Sequence, residues 1–95
     1  MKLEFVVISM SEVEEKIMEC IAEVEEYRYY SIEAEDGIRQ LRELQMILRN
    51  LNRENIEEAL KKARQVYQLS LAYSRYVPKT VTNLKYIVEW LEKSR

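Results

Sequence analysis

Histidine is absent from this chain, and cysteine, glycine, proline, tryptophan and phenylalanine occur once each. Without His, neither Ser-His-Asp nor Cys-His catalysis can be assembled from the chain's own residues. Zinc sites built on Cys and His are excluded, and so is the Glu-x-x-His pairing of di-iron helical bundles. A single glycine, Gly37, leaves no glycine-rich phosphate cradle. A single cysteine, Cys20, permits no intrachain disulfide, and its place on an apolar helical stripe makes it a small buried hydrophobe rather than a reactive thiol. Long apolar runs are also missing. Phe5-Val6-Val7-Ile8 is too short for the core of a signal sequence, nothing approaches a membrane span, and a cytoplasmic location is expected. Sheet-rich chains need turn residues every few positions, so the scarcity of Gly and Pro points to an all-α fold.

What is present is charge and tyrosine. Of the 95 residues, 47% are hydrophobic, which rules out a disordered chain, and 34% are charged, against about a quarter in ordinary domains. Heavy use of Glu, Arg, Lys, Ile, Val and Tyr with few amides is a thermophile-like composition, in which ion-pair networks gain value. Size scaling places all of residues 1–95 in one helical domain with a thin core. The charge is sorted by position: residues 1–36 carry eleven acids and three bases, a net −8, and residues 37–95 carry six acids and twelve bases, a net +6. The total of −2 therefore conceals a dipolar molecule, able to hold its own helices together or to draw a second copy or a partner onto an exposed face.

Residues 2–8 are β-branched and apolar, and read as a short N-terminal arm packed on a bundle or as a strand paired elsewhere. Ser9 followed by Glu12 has the form of a capping box, which starts the first helix near Met10. Met10, Val13, Ile17, Cys20, Ile21, Val24 and Tyr27 then recur at helical spacing. Asp36-Gly37 is the first expected break, because the stripe of Ile38, Leu41, Leu44, Leu48 and Leu51 is rotated by roughly 130° from the first. Asn50-Leu51-Asn52 is the clearest turn, with Asn52 as a cap and Leu51 and Ile56 as a hydrophobic staple. A third helix is expected from about Arg53 to Tyr76, Pro78 ends or kinks it, and a last helix runs from about Lys79 to Lys93. The expected fold is an antiparallel three- or four-helix bundle. If Gly37 and Pro78 only kink their helices, it becomes a long helical hairpin that dimerises.

Glu15, Glu19 and Glu23 repeat at helical spacing and could bind a hard cation, but they flank the apolar stripe and read as a solvated face. No catalytic residue, metal, cofactor or small-molecule substrate is inferred, and no membrane contact. Tyr86 and Trp90 lie off the Leu84-Val88-Leu91 stripe, and Tyr29 and Met18 lie off that of the first helix, so these four form the candidate partner interface. Arg39, Arg42, Arg49 and Arg53 form a candidate face for an acidic partner or for nucleic acid, although an acidic chain with a −8 segment is a poor phosphate binder. The expected role is a non-enzymatic helical interaction or assembly module, self-associating or a small subunit of a larger complex. The alternative is a small accessory subunit of a nucleoprotein complex that contacts nucleic acid through the arginine face.

Overall fold

Ser31 starts the second helix, and that cap sets the layout of the first half of the chain. In the computed structural model, which describes the backbone of residues 2–95 and the side chains of residues 10–95, the chain forms α1 (Lys2–Glu25), α2 (Ile32–Arg49), α3 (Ile56–Leu71) and α4 (Pro78–Ser94). The Ser31 backbone is extended, its Oγ accepts from the Ala34 N–H at 3.2 Å, and Glu33 and Glu35 lie in the first turn, where a helix N-terminus favours negative charge. Ahead of it, α1 unwinds through tight bonds from the amides of Glu26, Tyr27 and Arg28 to carbonyls three residues back. The expected break therefore lies at residues 26–31, not at Asp36-Gly37. Gly37 sits inside α2 without a positive φ. The rotation of the apolar stripe was a true sign of a break, but a lone glycine costs a helix only about 1 kcal/mol, whereas Ser31 supplies an actual cap.

At the other end of α1 the helical backbone runs through Ser9 and Met10, so the expected start near Met10 moves to Lys2. Residues 2–8 are therefore helical and continuous with α1 rather than a separate apolar arm or a strand, because helical winding is carried through Ser9 without a break, and how their side chains pack lies outside the described residues.

The Asn50–Asn55 turn is built by asparagines. Asn52 Oδ1 accepts from the amides of Glu54 and Asn55, Asn55 Oδ1 accepts from the Asn52 amide, and the Asn50 carbonyl accepts from both side-chain amides. This network occupies residues 53–55, so α3 begins at Ile56 rather than Arg53. It ends at Leu71 rather than Tyr76, because the amides of Tyr73, Ser74 and Tyr76 bond three residues back and tighten the chain before Pro78. Leu51 and Ile56 each pack against the core, but with the N-cap at Asn55 instead of Asn52 they do not hold the positions of the expected staple.

Each helix packs on its neighbours in sequence and α1 closes the ring against α4, while among the described residues the diagonal pairs make no close backbone approach. This is an up-and-down four-helix bundle, 45 Å along its longest dimension. Four reversing helices replace the long-hairpin alternative. The core takes Val13, Ile17 and Cys20 from α1, Leu41 and Leu44 from α2, Ala59, Leu60 and Ala63 from α3, and Leu84, Ile87 and Leu91 from α4. Full burial of each large aliphatic side chain contributes about 1.5–3 kcal/mol. The alanines of α3 let its neighbours approach closely. No helix among the described residues is long and apolar enough to cross a membrane.

Candidate interaction surface

Up-and-down topology brings the 26–31 and 72–77 turns to the same end of the bundle, and with them five of the seven tyrosines: Tyr27, Tyr29, Tyr30, Tyr73 and Tyr76. Tyr27 and Tyr76 meet edge to face with ring centroids 6.1 Å apart, which ties the two turns together. Beside them α2 and α3 part to leave an apolar cleft of about 610 Å³, floored by Ala34, Gly37, Leu41 and Val66 and walled by Ile32, Leu69, Tyr73 and Tyr76. Tyr29, Tyr30 and Ile32 stand 90%, 85% and 81% exposed at its edge. Tyr29, Tyr30, Tyr73 and Tyr76 together present roughly 400–700 Å² of side-chain surface, taking 150–250 Å² for a whole aromatic side chain, and Ile32 and Leu69 add to it. A monomer's largest apolar patch is usually about 300–600 Å².

The four residues chosen from the sequence as an interface are not brought together. Trp90 is 9% exposed and shares a cavity wall with Met10, Val13 and Leu48. Tyr86 is partly buried, with the Lys16 ammonium 4.5 Å from its ring centroid, and burial followed by the neighbouring Glu12 pushes its hydroxyl pKa up. The Tyr86–Trp90 face is thus covered by the chain itself, which corrects the expectation of an open face on α4. The reason is topological: α4 is flanked by α1 and α3, so both of its apolar sides find cover. Met18 is 55% exposed midway along α1, away from the tyrosine end, and Tyr29 alone of the four belongs to the cleft region.

Three of the four candidate arginines are held by carboxylates of the same chain. Arg39 pairs with Asp36, Arg42 with Glu25 at 3.5 Å, and Arg49 Nε donates to Glu14 at 2.9 Å. Arg53 has no ion pair among the described residues.

The acids of α1 are not merely a solvated face. Glu14 and Glu25 reach α2, while Glu19 accepts from Asn83 at 3.1 Å and Glu23 accepts from the amides of Lys79 and Thr80 at 3.1 and 2.6 Å. Cys20 and Thr80 join the same seam. The Thr80 hydroxyl donates to the Cys20 carbonyl and the thiol donates to the Thr80 carbonyl. Burial pushes that thiol up to about 12, so it stays protonated. Among the described residues no three His, Cys, Asp or Glu side chains converge on a metal-sized site.

No family model, curated protein or solved structure matches this chain. The cleft is the surface its own geometry singles out. Ile32, Leu69, Tyr73 and Tyr76 escaped the sequence reading because each sits near a helix end that lies elsewhere than expected. The available signal was two tyrosine-rich stretches, 27–30 and 73–76, that an even number of antiparallel helices must bring to one end.

Proposed function

We propose that this protein is a non-enzymatic helical interaction or assembly module of the cytoplasm, and that it engages its partner through the tyrosine end. The observation that carries this reading is the apolar cleft between α2 and α3, edged by Tyr29, Tyr30 and Ile32, whose exposure leaves more apolar surface in water than a free-standing bundle needs. Tyrosine suits such a surface, burying a ring while its hydroxyl stays hydrated at the rim. The arginine face contributes less to partner choice, since Glu14, Glu25 and Asp36 already hold Arg49, Arg42 and Arg39.

The test replaces Tyr73 with p-benzoylphenylalanine in the producing cell, with the exposed Lys85 of α4 as the control position. Irradiation is expected to give a discrete polypeptide adduct from position 73 and none from position 85. No adduct from position 73 sinks the reading.

A further inference from the structure

The two halves of the tyrosine end carry opposite charge. On the α1–α2 side lie Glu26, Glu33 and Glu35, none of which has an ion pair among the described residues. Between Ala59 and Val88 the chain holds six bases and no acid. Two of those bases, Arg75 and Lys79, lie at the tyrosine end on the α3–α4 side, also without an ion pair among the described residues. The charge sorting along the sequence thus becomes a sorting across the end of the bundle, the α1–α2 turn being acidic and the α3–α4 turn basic.

From this we infer that the occupant of the cleft is a second copy of this chain, docked tyrosine end to tyrosine end about a two-fold axis. An axis that runs along the boundary between the two halves sets the acidic side of each copy against the basic side of the other, twice over, because an isologous contact repeats every pairing. It also brings each copy's Tyr29 and Tyr30, the most exposed large side chains at this end, to the mouth of the opposite cleft. The exposed tyrosine surface of roughly 400–700 Å² on each copy, extended by Ile32 and Leu69, approaches the ~800 Å² per partner of a standard stable interface. A partner of one charge sign would satisfy one side and face like charge on the other. This assignment rests on the interaction reading above and names its partner.

Light scattering on the full chain from about 10 µM to about 1 mM reads the outcome. The expected mass rises to twice that of the chain. Glu33→Lys and Arg75→Glu, each checked by circular dichroism for native helix content, are each expected to weaken self-association at least about tenfold by placing like charges together in both halves of the contact. Mixing the two variants restores the dimer, since the lysine introduced at position 33 of one copy then meets the glutamate introduced at position 75 of the other. Tyr29→Ser combined with Tyr30→Ser gives monomers with helix content unchanged. A monomer throughout the series overturns the inference, as does a dimer indifferent to all of these changes. The position-73 adduct separates this failure from that of the broader reading. An adduct of twice the chain mass supports the second copy, an adduct of another mass overturns it while leaving an interaction module, and no adduct overturns both.

Discussion

Glu23 is the side chain whose removal tests most directly how this bundle is held together. The first turn of α4 has no cap of its own: Val77 at the N-cap offers no side-chain acceptor, and Pro78 has no N–H to satisfy. The Val81 amide bonds the Val77 carbonyl, and the two remaining donors, the Lys79 and Thr80 amides, bond Glu23 across the α1–α4 seam. Every N–H at this helix start is thereby accounted for, two of them by one carboxylate from another helix. Glu23→Ala removes both bonds and strands the Thr80 amide at a buried residue, a loss of about 2 kcal/mol from the cap and the unsatisfied donor together. It also relieves repulsion from Glu19 and Glu26, four and three residues away on the same helix, which returns about 0.4–1 kcal/mol. The cap is the larger effect, so the variant should lose about 1–1.5 kcal/mol, a fall in Tm of roughly 5–10 °C for a domain of this size. Glu23→Gln keeps one acceptor and should recover about half of the loss. Urea and thermal unfolding followed by far-UV circular dichroism measure the change, and amide exchange at Thr80 should accelerate in the Ala variant. A Glu23→Ala protein as stable as the parent, or more stable, would refute the reasoning and make the α1 acids a purely repulsive surface.

Three further expectations concern the same bundle. Gly37→Ala should stabilise the fold by about 0.5–1 kcal/mol in urea unfolding, because Gly37 is helical and an added methyl meets only Val24 Cγ1 at 3.7 Å; destabilisation would mean that the helix is strained there. The Cys20 thiol, pushed up to about 12 chiefly by burial, should react with an aromatic disulfide reagent only as fast as the protein unfolds, and at once in denaturant. Acid should weaken the fold: hydrogen bonds from the Glu33 amide, from Gln40 and from Lys62 hold the carboxyls of Glu33, Asp36 and Glu43 below their ordinary values. Their contribution is complete above the unfolded carboxylate range near pH ~4 and is lost as pH falls through the lower native values. All three groups are exposed, so a shallow decline in an acid titration of stability is expected rather than a sharp transition.

Much of the bundle was legible along the chain because helical periodicity is a local property. Val13, Ile17 and Cys20 were assigned to the core from spacing alone, as were Leu84 and Leu91, and all are buried. The asparagine turn was legible for a similar reason, since an Asx side chain bonds backbone within a few residues of itself. The break at residues 26–31 was displaced to Gly37 because composition weighs glycine heavily, whereas Ser31 acts through a cap whose partners are ordinary residues. Trp90 was misjudged for the opposite reason. Whether a second apolar face is open depends on what the other helices do, and α4 lies between two of them. The candidate site was the least legible feature, because its walls are separated by a long stretch of intervening chain and meet only when the helices reverse.

The sequence by itself determined that this protein is helical, that its first third is acidic and the remainder basic, and that it lacks the residue types of His-based catalysis and of Cys/His zinc sites. These properties belong to residues and their near neighbours. Only the tertiary structure decided that the acids of α1 clasp α2 and cap α4, that Trp90 is internal, and that tyrosines from two distant turns frame one cleft. Those outcomes depend on which helix ends share a level and which helices share a seam, and the ring of four antiparallel helices sets both at once.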